Sequence, residues 1–441
     1  MNIPNIKNAY ENVSNACNKR LKELFPHTVP KDVQKRLDKE LKYLKKSNYI
    51  DDFEIARLLY KEAEKSSQYL TCRGTITGSL IFYLISNSRV NPLEPYYICP
   101  DCGEVKKIKS KLFGIDYPEC TCTKCNSIMN SNGYNLSIES VWGLDGKKTI
   151  SFEYNTSEEF FPFAKRLLEK TFPKNAVEPY GIFYMQDDAP SVNLSMCGYV
   201  ILSDKQTIDD YPDLIGYLEN GDKCISGNIM EITENNMKRI LLYNNPINNA
   251  IVKMQRCTGI YIDSITTKDL QDINWTTIAN TKLLSKETVD LIRANKPKTK
   301  TELINLLCAS SSDYTCCPRT SHNRTQELIQ MLQSEEFSTY PCYSRDDTFE
   351  LLVTLGIDRK IAYEYSEFIR KGQASRANIT SEFDSLDLPE EFRNTAKTIR
   401  YLFPRSHCIE YALSYTILAY YLKADSKSYS KMIRLQYTST I

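Results

Sequence analysis

The chain has 441 residues, enough for two or three domains at roughly 150 residues each. Its 56 Lys and Arg residues balance 55 Asp and Glu residues, so a net charge of +1 excludes a uniformly basic nucleic-acid-binding protein and leaves only local patches for such binding. Hydrophobic residues make up 41% and charged residues 25% of the chain, which excludes wholesale disorder.

The first part of the chain has the pattern of amphipathic helices. From Lys31 to Ser47, apolar residues recur at steps of four and three among charges, and Phe53 to Ser66 continues in the same style. We therefore predict a helical module over residues 1–70. In Thr71 to Ser86, a Gly/Thr turn precedes an apolar run, which predicts a loop that leads into a buried helix or strand.

The middle and the end of the chain differ in pattern and in charge. Between Ser151 and Glu234, short Tyr/Ile/Val runs such as Gly198 to Ser203 predict strands, and this segment carries a net charge of −9 against about +10 for the rest. Helical patterns then return at Glu302 to Leu307, Thr325 to Leu332, Asp347 to Leu355, Arg359 to Lys371, Glu391 to Phe403 and Ile409 to Leu422. The predicted class is α+β, with a mixed central sheet and a helical C-terminal half.

Four cysteines form two C-x-x-C pairs separated by nineteen residues: Cys99, Cys102, Cys122 and Cys125. Each tight turn directs two thiolates at one point, and this spacing is typical of a structural zinc ribbon. We predict a zinc-binding insertion at residues 96–130. The alternative is a fortuitous grouping in a chain with fifteen cysteines, in which Cys120 competes with Cys122.

The remaining cysteines and the histidines give weaker signals. Cys316 and Cys317 are adjacent but have no partner C-x-x-C pair, and we interpret them as incidental. With three histidines in the chain, we expect no His-rich catalytic metal site.

The sequence predicts a cytoplasmic protein. Its N-terminus lacks a basic stretch followed by an apolar one, so we expect no secretion signal. The longest apolar run, Ile409 to Leu422, contains Glu410 and is too short to span a bilayer, so we expect no membrane association.

Nine short segments stand in an order that is typical of one family: RLDKEL at Arg36–Leu41, RGTITGSL at Arg73–Leu80, VNPLEPYYICPDC at Val90–Cys102, CTKC at Cys122–Cys125, KPKTKTEL at Lys296–Leu303, TQELI at Thr325–Ile329, SRDD at Ser344–Asp347, EFIRKG at Glu367–Gly372 and YLFPRSHCIEYAL at Tyr401–Leu413. In these segments the chain resembles the polymerase region of the Gram-positive replicative DNA polymerase III alpha subunit, the PolC type. The resemblance covers roughly residues 10 to 425.

The resemblance implies a polymerase-beta-like nucleotidyltransferase palm with a zinc-ribbon insertion and with helical thumb-like and fingers-like regions. It divides the chain into a thumb-like or palm-entry module at 1–70, a palm-like mixed sheet at 71–260 that contains the insertion, and fingers-like helices at 261–441.

The resemblance also implies residues that contact nucleotide or DNA. Arg73, Gly78 and Ser79 would lie in the turn that faces the incoming triphosphate. Arg370 and Lys371 would be the basic pair of the fingers, and Arg405 and His407 a further group facing phosphate or template. The alternatives are an exposed basic helix end for Arg370 and Lys371, and a core or capping role for His407.

The metal ligands of the family are largely replaced in this sequence. The family holds two Mg²⁺ ions with three palm carboxylates, two of them on one strand as Asp-x-Asp. The matching positions here are Ser151 and Glu153, with Leu241 at the third. Because such Mg²⁺ sites depend on clustered carboxylates, we expect no catalytic residues and no polymerase activity.

The preferred hypothesis is therefore a pseudo-polymerase with a structural zinc ion. It would bind primer-template DNA or replisome proteins in DNA replication or its regulation. The sliding-clamp motif expected of the family is not seen in the final residues, LQYTSTI. One alternative is an active template-dependent DNA polymerase with a divergent Mg²⁺ site that uses Glu153. A further alternative is a zinc-ribbon adaptor that binds proteins.

Overall fold

A computed structural model of the chain describes residues 4–109, 111–182, 185–186, 189–190, 194–203, 205–376 and 382–438. The helices are α1 Ala9–Leu24, α2 Lys31–Lys46, α3 Ile50–Lys65, α4 Leu80–Ile85, α5 Ile138–Trp142, α6 Phe161–Thr171, α7 Ile229–Glu234, α8 Pro246–Thr258, α9 Thr267–Gln271, α10 Trp275–Ala279, α11 Lys286–Asn295, α12 Lys300–Ser311, α13 Arg324–Leu332, α14 Glu335–Thr339, α15 Arg345–Thr354, α16 Arg359–Arg370, α17 Glu390–Thr398, α18 Arg405–Ala424 and α19 Ser426–Thr438.

Most of the strands lie between Thr71 and Asn244, and they are sparse in the second half of the chain. They are β1 Thr71–Arg73, β2 Tyr96–Ile98, β3 Val105–Lys107, β4 Cys120–Thr121, β5 Ile128–Asn132, β6 Glu153–Thr156, β7 Val177–Ile182, β8 Met185–Gln186, β9 Ala189–Pro190, β10 Ser195–Ile201, β11 Ile215–Tyr217, β12 Lys223–Ile225, β13 Lys238–Asn244, β14 Asp313–Tyr314 and β15 Ile399–Tyr401. The predicted α+β class is confirmed.

The helices of the first seventy residues share an apolar core with the central sheet. In α2 the apolar residues at steps of four and three, from Val33 to Leu44, are buried as the pattern predicts. They share one hydrophobic core with Phe53 and Leu59 of α3 and with Tyr154 and Leu242 of the sheet. The predicted helical character of this segment is therefore correct, and its core is continuous with that of the sheet.

The central sheet has seven strands in the order β1-β6-β13-β10-β7-β12-β11. It is mixed, because β6 pairs with β13 in parallel while β1 with β6 and β10 with β13 are antiparallel. Alternate residues point to opposite faces. Leu242 packs toward the helices α3 and α6, whereas Leu241 belongs to a second core with Ile232 of α7.

The predicted insertion forms a small four-stranded sheet in the order β3-β2-β5-β4. Its own apolar cluster contains Tyr97, Met129 and two of the cysteines, Cys99 and Cys122. This cluster is too small to supply the apolar burial that a separate domain needs. A cross-link between its turns is therefore physically reasonable.

Helices dominate the second half, with the 20-residue α18 packed among α8, α10 and α12. The predicted helix from Glu391 to Phe403 is wrong in its last part. Helix α17 ends at Thr398, and the next three residues form β15, which pairs with β14. The tertiary pairing overrides the local helical pattern there. Within the described part of the chain, none of the helices has the length and apolar character to cross a membrane.

Candidate functional site

Two of the three positions that match the family's metal carboxylates lie side by side on the central sheet. In the parallel pair β6 and β13, Glu153 is opposite Leu241. On the other side of β6, Arg73 is opposite Glu153. Ser151 is exposed just before β6, and a Cβ added at Gly74 would lie 3.8 Å from its hydroxyl oxygen. These positions therefore lie close to one another at one region of the sheet.

The chemistry of this sheet face does not fit two divalent cations. Leu241 is 9% exposed and packs in an apolar core, so Glu153 is the one carboxylate at the three positions. Among the described residues, Glu153 has no hydrogen bond or ion pair at its side chain. A centre for two Mg²⁺ ions needs several clustered carboxylates. The residues at this face therefore do not fit the metal centre of the family.

Arg73 and Tyr243 contact each other next to this sheet face. The Arg73 guanidinium carbon lies 5.1 Å from the centre of the Tyr243 ring, close enough for a cation–π contact. Burial, together with the nearby charge of Glu153, raises the pKa of Tyr243 to about 12. Tyr243 is therefore neutral near pH 7.

A shifted alignment with the family would place Asp145, or Asp187 and Asp188, at the metal-carboxylate positions instead. Asp145 lies in the loop after α5, where its side chain accepts a hydrogen bond of 3.1 Å from the Lys147 backbone N–H and pairs with the Lys147 ammonium group. Asp187 and Asp188 lie outside the described residues.

The turn of Gly78 and Ser79 is buried and is hydrogen-bonded to the carboxylate of Glu40. Ser79 caps the N-terminus of α4, accepting a hydrogen bond from the Phe82 backbone N–H at 3.3 Å. Its hydroxyl donates to Glu40 at 2.6 Å, and Glu40 has no solvent exposure. Five donors converge on this carboxylate: the Ser79 hydroxyl, the Leu80 and Ile81 backbone N–H groups, the Trp142 indole and the Arg36 guanidinium. The contact of this turn with a triphosphate stays a prediction.

Arg405 is a buried member of an ion-pair group at the start of α18. Its guanidinium lies 2.6 Å from Asp347 and 2.9 Å from Glu350, both on α15. The guanidinium also lies over the ring of Phe113, with its carbon 5.6 Å from the ring centre. Arg405 is 3% exposed, so in this conformation its charge is used to join α18 to α15. Its predicted contact with phosphate or template stays untested.

His407 has the surroundings of a core histidine. Its Nδ1 accepts a hydrogen bond of 3.0 Å from the Gly74 backbone N–H, while the Ser406 hydroxyl donates to the Gly74 carbonyl at 3.1 Å. Burial, assisted by the charge of Arg73, lowers the pKa of His407 to about 3. The histidine is therefore neutral near pH 7 and joins the start of α18 to the turn after β1.

The predicted basic pair lies at the end of α16. Arg370 pairs with Glu367 at 2.9 Å, while Lys371 is exposed. Lys148 and Arg345 also face Glu367, at 2.8 and 3.8 Å, so three cations surround one carboxylate. Burial alone would raise the pKa of Glu367, but these cations hold it at about 2. Burial, and then the charge of Arg345, lowers the pKa of Lys148 to about 8.

The four predicted zinc ligands converge in the small sheet. All four sulfurs lie within 4.8 Å of one another; the Cys99 and Cys125 sulfurs are 3.3 Å apart and those of Cys102 and Cys122 are 3.5 Å apart. Around a tetrahedral ion with bonds of about 2.3 Å, sulfurs lie about 3.8 Å apart, so these residues fit zinc. Cys120 is not part of this group, and its thiol contacts the Thr121 carbonyl instead.

Comparisons with known proteins agree with the resemblance in the sequence. The profile of the bacterial DNA polymerase III alpha NTPase domain matches residues 11–154, which run from α1 through the four-cysteine cluster into β6. The PolC-type DNA polymerase III of Thermotoga maritima is 24% identical over 480 aligned positions, covering 95% of this chain and 34% of that protein. The Bacillus subtilis protein of the same name is also 24% identical, covering 95% of this chain and 32% of its own length.

The chain is a relative of the PolC-type DNA polymerase III alpha subunits. It spans about a third of the length of these curated relatives. The PolC-like character suggested by the nine segments is thus confirmed, and the similarity extends over nearly the whole chain.

Two charged residues with ion-pair partners, Glu40 and Lys148, were not identified from the sequence. Glu40 interrupts the apolar face of α2 between Leu37 and Leu41, and a charge on a buried face is the signal that could have identified it. Lys148 lies in a loop with no pattern of its own. Its position beside Glu367 of α16 follows from tertiary packing alone.

Proposed function

We propose that this chain is a PolC-like polymerase core that binds primer-template DNA in replication and does not catalyse nucleotidyl transfer. One observation carries the proposal: Glu153 lies opposite Leu241 in the sheet, where a two-metal centre would need a second carboxylate. In nucleotidyl transfer, paired metal ions activate the attacking hydroxyl and neutralise the transferred phosphate. A face with one carboxylate supports neither role.

The distribution of charge favours DNA contacts on the helical parts of the chain. Residues 151–234 carry a net charge of −9, which repels phosphate, whereas the rest of the chain carries about +10. Lys371 is exposed at the end of α16, beside the three cations that surround Glu367. Backbone contacts of this kind give affinity without reading sequence.

The proposal assigns the regions of the chain to parts of a polymerase. Residues 71–260 would be a palm-like region of the polymerase-beta type, with the zinc-ribbon insertion at 96–130 holding one structural zinc ion. Residues 1–70 would be thumb-like and residues 261–441 fingers-like. The partners would be DNA and replisome proteins in the cytoplasm.

The test combines primer extension with DNA binding on the same zinc-loaded protein. We expect no extension with Mg²⁺ or Mn²⁺, and binding of primed DNA that weakens with salt by about 0.9 log units per log unit for each phosphate contact. Extension that disappears in Glu153→Ala would overturn the proposal and favour an active polymerase with a divergent metal site.

A matched pair of lysine variants tests where DNA binds. Lys371→Gln should weaken binding and reduce the salt slope by about one phosphate contact. Lys174→Gln removes an exposed lysine from the acidic segment and should leave both unchanged. Absence of DNA binding by the wild-type protein at low salt would contradict the DNA role and favour replisome proteins as partners.

A further inference from the structure

Three sulfur atoms meet in the helical half of the protein, far along the chain from the four-cysteine cluster. Cys316 and Cys317 follow β14, and Met331 lies in α13. The Cys317 sulfur is 3.9 Å from the Cys316 sulfur and 3.9 Å from the Met331 sulfur. We call Cys316, Cys317 and Met331 the sulfur triad.

The two sulfur–sulfur separations at Cys317 match those of ligands around one ion. With metal–sulfur bonds of about 2.3 Å, as for zinc and thiolates, three sulfurs at 120° are separated by about 4.0 Å. Both recorded separations agree with this value. The pair alone could be explained as neighbours in sequence, but Met331 comes from a separate helix.

One buried carboxylate oxygen without a hydrogen-bond partner lies beside the sulfur triad. Cys316 and Met331 line a cavity of about 270 Å³ together with Glu327 and Glu336. The Glu327 Oε2 atom is buried and has no hydrogen-bond partner among the described residues. A buried carboxylate oxygen is costly unless a donor or a cation compensates it. A cation at the sulfur triad would lower this cost.

The backbone that carries the two cysteines is held by a buried arginine. The Arg324 guanidinium donates to the Cys317 carbonyl at 2.6 Å and to the Ser312 carbonyl at 2.9 Å. Arg324 is the first residue of α13, the helix that carries Met331. The same helix therefore positions both sides of the sulfur triad before any ion binds.

The donor set selects the kind of ion. Thiolate and thioether sulfur are soft ligands, and they favour Cu(I) over the harder divalent cations. Zinc prefers four thiolate, imidazole or carboxylate ligands. Within the described part of the chain, the Cys99 cluster is the one group of three or more such side chains close enough to share an ion. The triad thus differs in kind from the predicted zinc site.

We propose that Cys316, Cys317 and Met331 form a three-sulfur binding site for a soft monovalent cation, Cu(I). Binding exchanges the thiol protons of the two cysteines for the metal and changes no oxidation state. The site is independent of the proposed DNA role.

The test is an anaerobic titration of the reduced, zinc-loaded protein with Cu(I) buffered by bicinchoninate, while a zinc-sensitive dye reports zinc release. We expect one Cu(I) per chain to bind without release of zinc. Cys316→Ser and Cys317→Ser should weaken this binding by more than about 100-fold, the upper limit for loss of an outer-sphere partner. Met331→Leu, which keeps the volume of the side chain, should weaken it less but measurably.

The matched control is Cys257→Ser, which removes an exposed cysteine elsewhere and should leave Cu(I) uptake unchanged. Uptake that is matched by zinc release and unaffected by Cys316→Ser would place copper in the four-cysteine cluster and overturn the proposal. So would absence of uptake, or full affinity in Met331→Leu. If Cys317→Ser fails to fold, the variants at the exposed Cys316 and the half-buried Met331 still test whether the triad binds Cu(I).

Discussion

The four-cysteine cluster and the sheet face around Glu153 are the two places where the resemblance to the family implies a metal, and they differ in completeness. In the cluster, four thiols from two turns lie within 4.8 Å of one another. On the sheet, one carboxylate stands opposite a leucine. The first place has the full ligand set of a closed zinc site, whereas the second has a third of what two-metal catalysis requires.

The two places therefore differ in what they can do: the cluster can support the fold, whereas the sheet face lacks the ligands for chemistry. A zinc ion held by these four thiolates would stabilise the small sheet, which has little apolar core of its own. The sheet face needs no metal for its stability, because Leu241 packs in an apolar core. The packing of this part of the sheet therefore does not depend on a carboxylate cluster at this face.

The largest expected effect is the loss of zinc when one cysteine of the four-cysteine cluster is replaced. Cys99→Ser removes a buried ligand and should reduce bound zinc from about one ion per chain to near zero, because a structural site needs all four ligands. Zinc content by mass spectrometry after gel filtration measures this. Cys120→Ser is the matched control, since its thiol lies outside the group of four. Loss of zinc in Cys120→Ser with retention in Cys99→Ser would contradict the assignment.

A second prediction concerns the turn that the family resemblance places at the triphosphate. Glu40→Gln leaves the neighbouring Arg36 without its charge partner, so we expect the free energy of unfolding to fall by about 3 to 5 kcal/mol. Urea denaturation measures it. Asp38→Asn, on the exposed side of the same helix, should change stability by less than about 0.5 kcal/mol. Equal effects of the two variants would mean that Glu40 does not support the Ser79 turn.

The sequence predicted local features well and tertiary pairings poorly. The helix over Lys31–Ser47 and the grouping of four cysteines were found because spacing alone defines them. The strand at 399–401 was missed because its partner, Asp313–Tyr314, lies more than eighty residues away. The burial of Ser79 against Glu40 depends likewise on how α2 packs under the turn. Motif matching found these positions without revealing their partners.

The pH dependence of stability tests the link between α18 and the turn after β1. The pKa of His407 falls from 6.5 to about 3 on folding, so between these values the unfolded chain binds a proton that the folded chain does not. Stability is therefore lost as the pH falls below 6.5, by about 2 kcal/mol at pH 5. His407→Asn should remove this loss, as measured by urea denaturation at pH 7.5 and 5. His322→Asn changes an exposed histidine and should retain it.

The smallest expected effect comes from adding carboxylates to the sheet face around Glu153. The double variant Ser151→Asp, Leu241→Asp places two more carboxylates near Glu153 on the same region of the sheet. We expect it to bind Mn²⁺ about tenfold more tightly than the wild type, or about 1.4 kcal/mol, measured by the loss of the free Mn²⁺ resonance signal.

The matched control for this variant is Ser151→Asn, Leu241→Asn, which has the same shape and polarity without the charges. Both double variants bury a polar group at position 241 and should lose similar stability. A gain of Mn²⁺ affinity in the aspartate variant alone would mean that the sheet has the geometry of a metal centre and lacks its ligands. Equal binding by the two variants would mean that these three positions do not come together in a geometry that holds a metal ion.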